Sequence, residues 1–165
     1  MQRSWLITIS LAFHKITNPP VKLILRSPLH FLLSGKLILV TYTGRRSGLE
    51  HSLPVQYAMF EREFVVAVGF HEHKKWWRNF RHQPAFVEIL HRRHHLSGTA
   101  VAIEQNVSET APRLAVYMQK FRQSARYRGL SFGPDGKVDQ EALRRVAESV
   151  VIVAIKPSTP GGAKG

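Results

Sequence analysis

Between residues 37 and 68, three stretches rich in β-branched and aromatic residues follow one another with only short turns between them. Leu37-Ile38-Leu39-Val40-Thr41-Tyr42-Thr43 stops at Gly44. Leu53 to Phe60 alternates, with Val55, Tyr57 and Met59 on one side, and Phe64 to Val68 is almost continuously apolar. This succession constrains the fold more than any other feature. Parallel neighbours need a crossover of about a dozen residues or more, usually a helix. A turn as short as Glu61-Arg62-Glu63 permits only an antiparallel hairpin. The unbroken apolarity of the third stretch predicts a strand buried on both faces.

The rest of the chain continues this texture. Gly69 to Lys75 reads as a polar loop, and Trp76 to Gln83 as a short helix closed by Pro84. Ala85 to Leu90 and Leu96 to Ile103 are further strands, joined by a basic turn from His91 to His95. Glu109 to Arg126 has helical spacing, with Ser108 as the expected N-cap and Leu114, Met118, Phe121 and Ala125 on the inner face. After the turn Gly133-Pro134-Asp135-Gly136, Asp139 caps a helix through Ala147, and Val150 to Ile155 is the last strand. The expected class is α+β: a small, mostly antiparallel β-barrel of about six strands with helices outside it.

Upstream, residues 4–17 and 21–33 read as two amphipathic helices separated by Asn18-Pro19-Pro20. Lys22, Arg26 and His30 form a polar stripe on the second, which suits either a membrane surface or a cap on the core. The expected organisation is a helical arm over residues 1–34, a barrel domain over 35–156 and a Pro/Gly/Ser-rich, disordered tail over 157–165. No apolar run approaches the roughly 18 residues that span a bilayer.

The chain has no cysteine, which excludes a disulfide scaffold, a thiolate zinc site and a cysteine nucleophile. A reducing cytoplasm fits this most simply, and the basic stripe on the helical arm allows a peripheral position at the inner membrane face. The net charge of +13 is uneven: residues 1–49, 50–99 and 100–165 carry +7, +2 and +4. Such a surplus points to an anionic partner: a phosphate-bearing cofactor, a membrane surface or nucleic acid. Six of the nine histidines lie between His71 and His95, but amid Lys and Arg and without a carboxylate pair, so no metal site is expected. No Ser-His-Asp set or paired carboxylates can be argued, and an enzyme of this composition would rely on a cofactor for the hard step.

Two motifs carry chemistry. Gly44-Arg45-Arg46-Ser47-Gly48 follows a strand directly; its glycines allow a sharp turn, and its guanidinium forks and hydroxyl present donors to phosphate or carboxylate oxygens. It lacks the spacing of a Walker loop. The second is Trp76-Trp77-Arg78-Asn79, preceded by Lys74-Lys75. Successive tryptophans on a helix point apart, so one packs inward while the other is free to line a pocket for a flat, anionic ligand.

In order and spacing, Leu39 to Gly48, Leu53-Pro54-Val55-Gln56-Tyr57, Val65 to Gly69, Trp76 to Pro84 and Val87-Glu88-Ile89 resemble the deazaflavin-dependent nitroreductase family, whose fold is the split β-barrel shared with flavin-binding oxidases. The resemblance implies an enzyme that binds coenzyme F420 and passes its hydride to a small-molecule acceptor such as a quinone or nitroaromatic. By position, Arg45, Arg46 and Ser47 would hold the phosphate and glutamate tail. His51, Pro54, Val55 and Gln56 would continue that contact. Ala67, Val68, Gly69 and Phe70 would bind mainly by backbone, and Lys75, Trp76, Trp77, Arg78 and Asn79 would meet the deazaflavin and its phosphate. Tyr117, Ser124 and Tyr127 are the implied donors to the acceptor. The chain departs from the family at His51, usually Arg; at Gly69-Phe70-His71-Glu72-His73, usually Gly-rich; and at Lys74, usually Pro. Relatives with this barrel bind FMN, and others hold lipid-like ligands without F420. The alternatives are therefore a non-catalytic protein binding a fatty acid or other apolar ligand, and an FMN-binding member. Nucleic acid ranks behind both, and a homodimer is left open.

Overall fold

Two strands that are consecutive in the chain lie at opposite ends of the sheet. The computed structural model describes residues 35–158; both expected N-terminal helices and the last seven residues lie outside them. The strands are β1 (Leu37–Thr43), β2 (Glu50–Gln56), β3 (Ala58–Phe60), β4 (Glu63–Val68), β5 (Ala85–His91), β6 (His94–Ile103) and β7 (Val151–Pro157). They form one antiparallel seven-stranded sheet in the order β2-β1-β5-β6-β7-β4-β3. If it were flat, the outer strands would stand about 29 Å apart. Only Tyr57 separates β2 from β3, and the chain from Gln56 to Ala58 spans about 7 Å at most. The sheet must therefore curl until its ends meet. The fold is the expected α+β split barrel, with seven strands where about six were expected. The extra strand arises because the alternating run from Leu53 to Phe60 is broken at Tyr57, where the chain passes from one sheet edge to the other.

Closure is partial. β3 pairs with β4 only from Ala58↔Val65 to Phe60↔Glu63, and β2 pairs only with β1. Among the described residues, the upper part of β4 (Val66 to Val68) is paired only on its β7 side, and the outer side of β2 has no strand partner. This is the split. Pro54 suits such an edge, since it has no N–H to offer a further strand.

Val40, Phe64, Val66, Phe80, Val87, Ile89, Val153 and Ile155 fill the barrel. Alternate residues of β4 and β7, including Val65 and Ile152, point outward into a second core under the helices. This explains the continuous apolarity of β4. The helices are α1 (Val107–Lys120), α2 (Arg122–Tyr127) and α3 (Gln140–Ala147). Leu114, Met118, Phe121 and Ala125 are buried there as expected. The single helix expected over Glu109–Arg126 is instead two, because Phe121 leaves the helical region (φ −114°, ψ 65°). Its cap is Asn106, not Ser108: Asn106 Oδ1 accepts from the Glu109 amide at 3.2 Å and from the Ser108 hydroxyl at 2.8 Å. Asp139 caps α3, accepting from the Ala142 amide at 2.8 Å.

At Gly98 the backbone of β7 leaves no space for a side chain on β6. A Cβ there would lie 2.5 Å from the Lys156 carbonyl oxygen. Gly98→Ala is expected to lower stability by about 1–3 kcal/mol through overpacking. Gly35→Ala, with nothing within 4 Å of the added carbon, should stay within about 0.5 kcal/mol of the parent. Chemical denaturation of both variants checks this.

The connector Tyr57 is itself anchored. Its N–H donates to Lys36 O at 3.2 Å, and its carbonyl accepts from Lys120 Nζ at 2.8 Å. The same ammonium sits 3.8 Å from the centre of the Tyr57 ring, and the hydroxyl lies 2.8 Å from His91 Nε2. Burial holds the His91 pKa below the usual histidine value, and the nearby Arg92, Lys120 and His94 charges add to this. Between its folded value and about 6.5 the unfolded chain binds more protons at this site, so folded stability falls as pH drops through that window. We expect His91→Gln to flatten this limb of the stability profile between pH 7.5 and 5. Parallel profiles for parent and variant would contradict it.

Candidate cofactor site

The Arg-Arg turn is built by two backbone bonds. The Gly44 amide donates to Leu49 O and the Gly48 amide to Gly44 O, both at 2.8 Å. Gly48 has φ +66°, and a Cβ on Gly44 would fall 2.6 Å from Ser47 Oγ and 2.9 Å from His51 Nε2. The left-handed conformation of Gly48 favours glycine, and a side chain at Gly44 would displace Ser47 and His51. Ser47 Oγ lies 3.3 Å from His51 Nε2 and accepts from the Leu49 amide, so these side chains orient one another. Arg45 and Arg46 are exposed, and among the described residues neither meets a carboxylate.

The aromatic segment is a 3-10 helix, Trp76–Phe80, shorter than the helix expected to Gln83. At three residues per turn, positions three apart share a face. Trp77 and Phe80 are accordingly both buried, Trp77 donating from Nε1 to His71 O at 3.0 Å. Trp76 is half-buried against the same core, while Lys75 and Arg78 are exposed. The Arg78 and Arg81 guanidiniums lie 5.7 and 5.8 Å from the Trp77 ring centre.

One bond joins the two motifs. The Arg45 amide donates to Asn79 Oδ1 at 2.9 Å across 34 residues, and Asn79 Nδ2 donates to Trp76 O at 2.7 Å. Tyr42 extends the junction, its ring 5.5 Å from that of His51 and 5.3 Å from that of Phe80. The cationic turn and the aromatic helix are therefore one surface.

The third group of expected residues lies along the split. Val55 and Val68 point into the barrel, Pro54 and Gln56 alternate with Val55 along β2, Ala67 packs against the second core, and Gly69 follows the end of β4. Tyr117, buried on α1, donates from its hydroxyl to Gln56 Oε1 at 3.2 Å. Burial pushes its pKa up to about 12, partly opposed by Arg128, so the phenol keeps its proton at neutral pH. Ser124 is half-buried on α2. Tyr127, 73% exposed, ends that helix beside Arg128. Phe70, just past Gly69, is 46% exposed and adopts φ +52°, a costly conformation for an aromatic residue.

Two further residues stand here: Lys74, from the basic lead-in to the tryptophans, and Arg128, which no sequence motif marked. A Cβ on Gly69 would lie 3.8 Å from Arg128 Nη2. Lys74 is near enough to Arg128 for the guanidinium to disfavour its charge, after burial, the larger cause. Burial likewise lowers the Arg128 pKa, with Tyr117 and Glu72 acting the other way.

Elsewhere, an open depression of about 430 Å³ is lined by Glu63, Arg81, Glu104, Glu109, Arg113 and Lys156, among others. Its charges pair with each other, which marks a structural network. Among the described residues, no three His, Asp or Glu side chains converge on a metal position, and no helix is long and apolar enough to cross a membrane.

Residues 28–131 match the family model described as F420H(2)-dependent quinone reductase. The chain belongs to this family. Membership makes it an F420-dependent oxidoreductase, with coenzyme F420 as its cofactor. Among solved structures, it is similar to the conserved hypothetical protein Rv2991 from Mycobacterium tuberculosis, at 14% identity and TM-score 0.49, over 86% of this chain and 79% of that one. It is also similar to a proposed 5-nitroimidazole antibiotic resistance protein from Bacteroides thetaiotaomicron VPI-5482, at 12% identity and TM-score 0.45, over 79% and 78%. No curated protein matches. The residues present fit the cofactor's chemistry. Two exposed guanidiniums, Arg45 and Arg46, with no carboxylate partner among the described residues, stand beside an aromatic face and the edges of the split.

Proposed function

We propose that this protein reduces a quinone at the expense of F420H2, with nitroaromatics as further acceptors. The observation that carries this reading is the Arg45–Asn79 bond, which fuses an anion-binding turn to an aromatic shelf. Bound F420H2 supplies a hydride. Arg45 and Arg46 bind the phosphate and the carboxylates of the tail, while Ser47 and His51 orient one another at the turn. Lys75 and Arg78 add positive charge at the 3-10 helix, and Trp76, Trp77 and Asn79 shape the shelf for the ring. Pro54 to Gln56 and Ala67 to Phe70 flank the ring from the two edges of the split. Tyr117 holds its proton on the phenol oxygen and acts as a hydrogen-bond donor rather than a base. Ser124 and Tyr127 are the further donors on the acceptor side.

The test is to mix the protein with F420H2 and menadione and follow cofactor oxidation by absorbance. Protein-dependent turnover is expected, and its absence would contradict the reading. A second reading, an apolar-ligand carrier without catalysis, draws on the exposed ring of Phe70. It predicts a fatty acid that co-purifies and no F420H2 oxidation.

A further inference from the structure

We propose that Lys74 and Arg128 form an oxyanion-binding subsite at the mouth of the split, and that it selects acceptors carrying a carboxylate or sulfonate on a flat ring. Arg128 leaves the end of α2 and sets its guanidinium against Gly69, where the absent side chain gives it access to the end of β4. Lys74 approaches from the loop before the 3-10 helix. Both side chains are partly buried. Among the described residues, no carboxylate forms an ion pair with either of them. The nearest acid acting on Arg128 is Glu72; its side chain is 66% exposed and lies 3.7 Å from His71 Nε2.

Partial loss of water weighs against the charge on both groups, and the Arg128 guanidinium further disfavours the charge on Lys74. A bound monoanion reverses this, because it is attracted to both at once and takes up their free donors. The surroundings set the rest of the ligand. Phe70, held at φ +52°, presents an exposed ring next to Gly69. Tyr117 and Gln56 offer a neutral hydrogen-bonding pair across the split. An apolar planar body with one oxyanion group matches these walls. The cofactor's phosphate carries the same oxyanion chemistry, but in the proposed function the Arg45-Arg46 turn already provides for it. The inference rests on the proposed function for its use in turnover, though not for its binding.

The experiment is a calorimetric titration of the full chain with 2-naphthalenesulfonate, without cofactor. Parallel titrations use inorganic phosphate and F420. The parent protein is expected to bind the sulfonate, with Arg128→Met and Lys74→Met each weakening it by about tenfold or more. Arg128→Lys should retain most of the affinity, which separates loss of charge from loss of fold. Affinity for F420 should change by less than about twofold in all three variants. Inorganic phosphate should bind more weakly than the sulfonate, since it has no ring for Phe70. In turnover with F420H2, 1,4-naphthoquinone-2-sulfonate should be preferred over menadione, and Arg128→Met should abolish that preference through KM.

Absence of sulfonate binding, or sulfonate binding unchanged in both Met variants, would overturn the subsite. So would a loss of F420 affinity in those variants in place of sulfonate affinity. Sulfonate binding that depends on the pair, in a protein that never oxidises F420H2, would count against the proposed reduction and leave the subsite standing.

Discussion

Arg46→Ala lowers the affinity for F420 by about one to two orders of magnitude, because each charge-assisted hydrogen bond lost contributes about 1.5–3 kcal/mol. The Arg46 side chain is exposed and among the described residues has no carboxylate partner, so removing it disturbs no internal pairing. The fold should therefore be unaffected, and the whole change should appear in binding. Arg62, exposed in the turn between β3 and β4, provides the control. Arg62→Ala removes the same charge at a distance and should leave the dissociation constant within about twofold, since exposed charges beyond a Debye length are screened. The loss at Arg46 should shrink at high salt for the same reason. An Arg46→Ala protein with unaltered affinity would reduce the turn to an ordinary β-hairpin.

The second large effect is on stability. Glu63 is 5% exposed at the start of β4. Arg113 grips it from α1 with both forks, Nε to Oε2 at 3.1 Å and Nη2 to Oε1 at 3.2 Å. The same guanidinium donates to the carbonyl and carboxylate of Glu109, and lies 5.1 Å from the Phe60 ring centre. Lys156, mostly exposed, is 3.7 Å from Glu63 Oε1 and a poor substitute. Arg113→Met therefore leaves a buried carboxylate almost alone and should cost about 3–5 kcal/mol. The double variant Glu63→Met/Arg113→Met removes both charges and should recover most of that loss. A denaturation cycle over the four proteins measures it. A single variant no worse than the double would show that Glu63 is hydrated rather than buried.

How much of this was legible in the chain differs by feature. β1, β4, β5 and β6 were readable because each is a short apolar or alternating run bounded by a turn. The break at Tyr57 was not, because alternation continues through it; only barrel closure forces the chain from one edge to the other there. Pro54 was the available clue, since a proline inside an otherwise regular strand belongs at an edge. The cap of α1 was missed by two residues because Asn106 and Ser108 are both capping types, and only the structure shows which oxygen meets the Glu109 amide. At the site, the Gly-Arg-Arg-Ser-Gly and Trp-Trp-Arg-Asn motifs were visible as separate strings. Their junction through Asn79 has no periodicity to betray it. Lys74 was visible in the basic lead-in to the tryptophans, but Arg128, 54 positions further on, belonged to no motif. Their meaning comes from the fold that sets both near the end of β4.

The central claim is that the joined turn, shelf and split hold F420. The direct measurement is a titration of F420 with the full chain, read by cofactor fluorescence at low ionic strength. Saturable binding at micromolar concentration or tighter, weakened by Arg46→Ala and not by Arg62→Ala, is the predicted result. No binding at micromolar concentration would contradict the account.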